Sequence, residues 1–326
     1  MTHRDGRFSR GDLLELIVES RELAAEDPDL ASEDDDDLED EEVLEQALDD
    51  GDHDLLALDE GARVVHSADD RREARVADVF NNLRFRARLF GDAYPFVLSQ
   101  DGQELTAREL DVDEKKLYVQ LLLSSSLRLI PKKRRHEITE PFEMMSATIF
   151  SCLMPKGWMV HRFGAKAGGR YKGKLLARLS KLAEDIRGTL LINERAFKSG
   201  DSGDGGLDLV AWHPMGDDER EGIPIALGQC GCTADDWSSK SLEASPSAIG
   251  ANLKTLHPWA NYYFMPLDLY DRAGGVQAWQ RRRYIREAII VDRARFIRLA
   301  SEYGVANACV TAPAQVEEVV QMRNAA

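Results

Sequence analysis

A glycine-dense segment ending in an aspartate carries the strongest chemical signal in the chain. Residues 199–208 read Ser-Gly-Asp-Ser-Gly-Asp-Gly-Gly-Leu-Asp, and Asp208 opens the apolar run Leu-Val-Ala-Trp. Gln229 follows 21 residues later, at the end of a second apolar run. Glycines let a backbone turn sharply and approach a ligand closely, and hard oxygen ligands suit Mg²⁺. The pair predicts a cation site that activates water against a phosphodiester, whereas the glycine cluster alone is equally typical of a surface turn.

The surrounding residues predict the elements that would position this pair. Apolar residues at helical spacing predict helices, and alternating or short apolar runs predict strands. Helices are predicted over 11–24, 70–92, 113–129, 140–153, 175–186, 276–287 and 293–303. Extended segments are predicted over 94–98, 158–163, 189–193, 206–212, 223–230 and 289–292. The mixed order after residue 131 predicts an α/β fold, with a mixed central sheet flanked by helices.

The segment from about 140 to 260 resembles the Mrr-like branch of the PD-(D/E)xK, restriction-endonuclease-like nucleases. That family's core reads G-D-G-G-[IL]-D, then a strand, a turn and a strand ending in [EQ]-x-K, with a glutamate on the preceding helix. Phe142-Glu143 stands where that glutamate is expected. The resemblance implies an Mg²⁺- or Mn²⁺-dependent nuclease in which Asp208 is the principal metal ligand. Glu143 would be an auxiliary ligand or orienting acid, and Gln229 the second-strand ligand. A solvated helix position explains Glu143 equally well.

The chain departs from the family pattern at the lysine. The expected position, two residues after Gln229, is Gly231. A lysine there would help to position the attacking water and offset developing negative charge. Lys240 is the nearest replacement, and Lys254 lies further along. An inactive site is the remaining alternative.

Other residues raise weaker hypotheses. The basic, glycine-rich loop over 164–174 lacks the phosphate-loop spacing, and its side chains fit a nucleic-acid backbone or a mobile surface loop. The residues concerned are Lys166, Arg170, Lys172 and Lys174. The basic run 281–283 is read as a second backbone contact or a charged helix face. Four aromatic residues are expected to pack in the core rather than to stack on unpaired bases: Trp237, Trp259, Tyr262 and Tyr263. Cys230 and Cys232 are expected to be buried as small apolar residues rather than to bind zinc.

Charge and composition divide the chain. Residues 1–130 carry 35 acidic and 15 basic side chains, and residues 131–326 carry 23 and 27. We predict an N-terminal helix over 1–25, an acidic disordered tract over 26–60, a helical subdomain over 61–130 and the nuclease-like domain over 131–326. Nine of the ten residues 33–42 are acidic, which predicts a solvated linker or a polyanion mimic lying over a basic groove.

The expected function follows from these features together. We expect cleavage of DNA by an effector of a bacterial anti-phage defence or restriction system, with a non-catalytic nucleic-acid-binding or scaffold subunit as the alternative. A helicase or sensor ATPase partner and a homo-oligomer are left open. No run of eighteen apolar residues and no secretory signal is present, and the four cysteines form no disulfide framework. A cytoplasmic location is therefore expected.

Overall fold

The computed structural model describes residues 68–100, 104–127, 130–164, 169–193, 205–233, 237–273, 276–279, 282 and 285–324. The predicted helix over 11–24 and the acidic tract lie outside these residues. Helices of the described part are α1 (Ala68–Phe90), α2 (Asp113–Ser125), α3 (His136–Leu153), α4 (Leu175–Asp185), α5 (Trp237–Lys240), α6 (Pro246–Ile249), α7 (Arg293–Glu302), α8 (Ala306–Cys309) and α9 (Pro313–Asn324). In this part of the chain no helix has the length and apolar character needed to cross a membrane.

Eleven strands are formed within the same residues. They are β1 (Phe96–Leu98), β2 (Leu105–Ala107), β3 (Met159–Arg162), β4 (Thr189–Leu190), β5 (Leu209–Trp212), β6 (Ile225–Cys230), β7 (Leu253–Lys254), β8 (Ala260–Phe264), β9 (Tyr270–Ala273), β10 (Val276–Trp279) and β11 (Ile289–Val291). Five of them form one sheet in the order β11-β8-β6-β5-β3, and β1-β2, β9-β10 and β4-β7 pair separately. In the five-stranded sheet, β3, β5 and β6 are antiparallel neighbours, and β6, β8 and β11 are parallel. The predicted α/β class with a mixed sheet is confirmed.

Helices cover both faces of this sheet because its central strands are apolar on both sides. Successive residues of a strand point to opposite faces. Leu209 and Ala211 of β5 join a core with α3 and α7, whereas Val210 and Trp212 join a second core with α4. All four residues of β5 are buried. Continuous burial of this kind is typical of strands sandwiched between helices.

The predicted boundary at residue 131 lies inside one continuous core. Leu117, Leu121 and Leu122 of α2 belong to the same buried cluster as Phe142 of α3 and Phe264 of β8. The described part of the predicted helical subdomain therefore packs directly on the sheet domain.

The helix predicted over 276–287 is wrong. Residues 276–279 form β10, which pairs with β9 in an antiparallel hairpin. The sequence between them is Gly274-Gly275, and a two-glycine connection favours a tight hairpin over a helix start. The helix beginning at Arg293 is also not the last one, since α8 and α9 follow it.

Candidate functional site

Asp208 and Gln229 lie side by side at one edge of the sheet. The strands β5 and β6 are antiparallel, and Leu209 opposite Gly228 is the last pair of the ladder. The Asp208 amide donates to the Gly228 carbonyl at 3.0 Å, which carries the pairing one residue further. The Asp208 Oδ2 atom accepts a hydrogen bond from the Cys230 amide at 2.8 Å. Both side chains are buried, with exposures of 6% for Asp208 and 7% for Gln229.

The Gln229 amide is held by Glu243, a residue that the sequence did not single out. Gln229 Nε2 donates to Glu243 Oε2 at 2.6 Å. The other end of the amide, Gln229 Oε1, is buried and has no hydrogen-bond partner among the described residues. Glu243 itself is exposed. Its only sequence signal is its spacing of three residues from Lys240, which places the two on one side of a helical turn.

The glycine turn lies against this pair. Gly205 and Gly206 both have positive φ, +67° and +77°, a conformation that other residues rarely adopt. A Cβ atom on Gly206 would lie 2.6 Å from Glu243 Cβ and 3.4 Å from Gln229 Oε1. The turn is therefore glycine for two reasons: its backbone conformation and its close approach to Glu243.

Glu143 lies on α3, beside the strand end that pairs with β5. Its Oε2 atom accepts from Arg162 on β3 at 3.4 Å, and its side chain is 33% exposed. Burial raises the pKa of the Cys230 thiol, and the charges of Asp208 and Glu143 raise it further. The charges of Glu143 and Asp208 therefore both act on the Cys230 thiol.

Lys240 also lies at this edge, at the C-terminal end of α5. Its Nζ donates to Thr233 Oγ1 at 3.3 Å. Burial raises the pKa of the Cys232 thiol, Glu143 and Asp208 raise it too, and Lys240 lowers it. The Lys240 ammonium thus acts on the same thiol as the two predicted acids. The alternative, Lys254, is exposed on β7, outside the five-stranded sheet.

Gly231 cannot carry the family's lysine because Tyr263 fills the space. A Cβ atom at position 231 would lie 1.9 Å from Tyr263 Oη and 2.7 Å from Cζ. Tyr263 is fully buried on β8, opposite Gln229 in the ladder. Its hydroxyl has no hydrogen-bond partner among the described residues. The predicted burial of Trp237, Trp259 and Tyr263 is confirmed, and Tyr262 is partly buried.

The basic residues of the predicted loop over 164–174 differ in their contacts. Lys166 lies outside the described residues. Arg170 is bound to Asp185 through two hydrogen bonds of 2.5 Å. Burial would raise the pKa of Asp185, but hydrogen bonds from Arg170 and Tyr171 lower it below its usual value. The Arg170 guanidinium is therefore paired with a buried carboxylate of the same chain, although its own side chain is 37% exposed.

Lys172 and Lys174 are exposed. Lys174 precedes α4, whose first residue, Leu175, would meet a Cβ atom on Gly205 at 3.3 Å. Lys174 is therefore adjacent in sequence to a residue that packs against the glycine turn. In the second basic run, Arg282 is exposed outside any α-helix, so the expected charged helix face is absent at that residue.

The donor types at the sheet edge suit a hard cation. Within the described ranges, no group of three or more His, Cys, Asp or Glu side chains is placed to hold a metal ion. Asp208 nevertheless offers a carboxylate bound to the Cys230 amide, and the neighbouring Gln229 offers a buried amide oxygen. Buried polar atoms normally have a partner.

Comparisons with protein-family models, with curated proteins and with solved structures found no match to this chain. The functional assignment of the sheet edge therefore rests on its geometry and on the motif resemblance. The residues that meet there are Asp208, Gln229 and Glu243, with Glu143 and Lys240 acting electrostatically on the adjoining thiols.

Proposed function

We propose that this protein is a metal-dependent nuclease that hydrolyses phosphodiester bonds in DNA. The observation that carries the proposal is the antiparallel pairing of β5 and β6, which brings Asp208 next to Gln229. The buried Gln229 oxygen that lacks a hydrogen-bond partner among the described residues supports it further. A cation would satisfy that oxygen, and few structural roles would leave it as it is.

The residues at the sheet edge have different proposed roles: some would bind the cation and others would orient its ligands. Asp208 and Gln229 would hold Mg²⁺ or Mn²⁺, which when bound supplies an activated water and neutralises charge on the phosphate. Arg162 orients the Glu143 carboxylate through a contact of 3.4 Å, so that Glu143 serves as an auxiliary ligand or orienting acid. The Lys240 ammonium offers a positive charge at the sheet edge. It would replace the family's lysine, for which position 231 has no room.

The preference for a polyanionic substrate is supported by the charge around the glycine turn. Lys172 and Lys174 are exposed on the segment that leads to Leu175, whose side chain packs against the turn, and the chain after residue 130 is net basic. Lysines of this kind neutralise phosphates without reading sequence. DNA as the substrate, a restriction-endonuclease-like core and a role in bacterial defence are proposed from the motif resemblance.

A non-catalytic nucleic-acid-binding or scaffold protein is the second candidate. The observation that favours it is Gly231 together with the Lys240 contact, because the described bond of that ammonium is to Thr233 and not to a carboxylate. Such a protein would retain the basic surface and bind DNA without cutting it.

The discriminating experiment is plasmid cleavage with Mg²⁺ or Mn²⁺. We expect cleavage by the wild type and a loss of at least about 100-fold in Asp208→Asn, because the ligand of the ion loses its charge. Asp218→Asn is the matched control, since Asp218 is an exposed aspartate in the connection between β5 and β6. Unchanged cleavage in Asp208→Asn would refute the site. Binding of DNA by the wild type without cleavage in either metal would favour the scaffold.

A further inference from the structure

We infer that Glu243 supplies the second carboxylate of the cation site, taking over the charge that Gln229 does not have, while Gln229 coordinates through Oε1. This inference rests on the proposed metal-dependent function. It assigns a ligand role to a residue outside the motif and explains why the second-strand position is an amide.

The orientation of the Gln229 amide is the first support. A carboxylate only accepts hydrogen bonds, so the group facing Glu243 must be the NH₂ end of the amide. The contact of 2.6 Å is charge-assisted and short. The carbonyl oxygen is thereby fixed at the other end of the amide, where it can act as a neutral ligand for a cation. A Cβ atom on Gly206 would lie 3.4 Å from this oxygen and 3.1 Å from Glu243 Oε2, so both atoms border the same space.

Two buried atoms without partners are the second support. Gln229 Oε1 and Tyr263 Oη each lack a hydrogen-bond partner among the described residues. Gln229 and Tyr263 are directly opposite in the parallel ladder of β6 and β8, so their side chains lie on the same face. A hydrated cation beside them satisfies both atoms at once: its charge binds the amide oxygen, and its water accepts from the hydroxyl.

The glycine turn makes room for Glu243 in particular. The Cβ atom of Glu243 is the atom that a side chain at position 206 would strike first, at 2.6 Å. The same virtual atom would lie 3.1 Å from Glu243 Oε2. The turn that delivers Asp208 is thus packed against the Glu243 side chain, which joins the two carboxylates in one local structure.

An exchange of the two side chains gives a sharp test. In Gln229→Glu alone, two carboxylates meet across the 2.6 Å contact, and their repulsion raises the pKa of one of them. In the double variant Gln229→Glu/Glu243→Gln, the amide–carboxylate bond is restored with the same total charge. The measurement is Mn²⁺ affinity of the full chain by electron paramagnetic resonance, alongside plasmid cleavage.

We expect Glu243→Gln to weaken Mn²⁺ binding about tenfold or more, and the exposed control Glu221→Gln to leave it unchanged. We expect the exchange variant to return to within about threefold of the wild type. Gln229→Glu alone should lose Mn²⁺ affinity more steeply than the wild type as the pH falls from about 8 to about 6. Thermal unfolding without metal shows that each variant is folded.

The possible failures are distinguishable. Wild-type affinity in Glu243→Gln, with binding lost in Asp208→Asn, would overturn the role of Glu243 and leave the proposed function standing. Wild-type affinity in Asp208→Asn would overturn both. An exchange variant no better than Glu243→Gln would also contradict the inferred pairing.

Discussion

Gln120 and Gln229 are both buried, but their amide groups differ in their hydrogen bonds. Gln120 on α2 donates from Nε2 to Thr311 Oγ1 at 2.8 Å and accepts at Oε1 from the Ala312 amide at 2.9 Å. Gln229 donates at 2.6 Å to Glu243, but its Oε1 has no partner within the described residues. The first amide connects α2 to the segment between α8 and α9, whereas the second is only half satisfied by the part of the chain that the structure describes.

The same contrast separates two buried tyrosines. The Tyr118 hydroxyl accepts from Arg293 at 3.3 Å, whereas the Tyr263 hydroxyl, opposite Gln229, has no partner among the described residues. Leaving a buried polar group unpaired costs about 1–3 kcal/mol. This free-energy cost is most readily tolerated at a site where a bound ligand supplies the missing hydrogen-bond partner. The contrast therefore identifies Gln229 and Tyr263 as neighbouring residues whose polar atoms are left incomplete by the described residues.

The largest expected effect on stability comes from removing the Gln120 side chain, whose amide has hydrogen-bond partners at both ends. Gln120→Ala would strand the buried Ala312 amide and remove a link between helices, so we expect a loss of about 2–3 kcal/mol in the free energy of unfolding. Gln229→Ala should cost less than Gln120→Ala without metal, because the only side-chain bond that it removes among the described residues is the one from Nε2 to Glu243, whose exposed carboxylate can be hydrated instead. Urea denaturation of both variants checks the pair. Equal losses would remove the distinction between the two glutamines.

A smaller loss of stability is expected from a side chain at position 231, where Tyr263 occupies the space. Gly231→Ala places a Cβ atom 1.9 Å from Tyr263 Oη, in a core that includes Trp237, Met265 and Ile290. We expect a loss of about 1–3 kcal/mol from overpacking. Adding Tyr263→Phe removes the closest atom and should recover part of it. A fully stable Gly231→Ala protein would show that the position is open to a side chain.

The smallest expected effect distinguishes the tyrosines. Tyr263→Phe without metal should leave the free energy of unfolding unchanged or raise it by up to about 1 kcal/mol, because an unpaired hydroxyl is removed. Tyr118→Phe should lower it by about 1 kcal/mol, since a bond from Arg293 is lost. Calorimetric unfolding measures both. A destabilised Tyr263→Phe protein would mean that its hydroxyl already has a partner.

The sequence predicted the strands that carry the motif because they are strongly patterned. The apolar run that follows Asp208 and the apolar run that ends at Gln229 indicated β5 and β6, and the antiparallel pairing of these strands places the two residues together. The strand β8 was not predicted, although it lies between β6 and β11. Its polar Asn261 interrupts the apolar pattern, and only tertiary contacts explain that residue: its Nδ2 donates to the Ser241 and Glu287 carbonyls at 2.8 Å.

The rest of the candidate site depends on contacts that no local pattern encodes. Glu243 is an exposed acid in a polar segment, and its importance appears only through the bond to Gln229. The reason for Gly231 lies on a different strand, in Tyr263. Local spacing can identify a motif and its departures, but the residue that compensates a departure is chosen by the packing of distant segments.

Direct titration of the full chain with Mn²⁺, comparing the wild type with Asp208→Asn, tests whether the ends of β5 and β6 form a cation site. We expect saturable Mn²⁺ binding by the wild type, an Mn²⁺ affinity lower by at least about tenfold in Asp208→Asn, and an unchanged affinity in Asp218→Asn. Equal Mn²⁺ affinity in the wild type and Asp208→Asn, or no binding by the wild type, would contradict it.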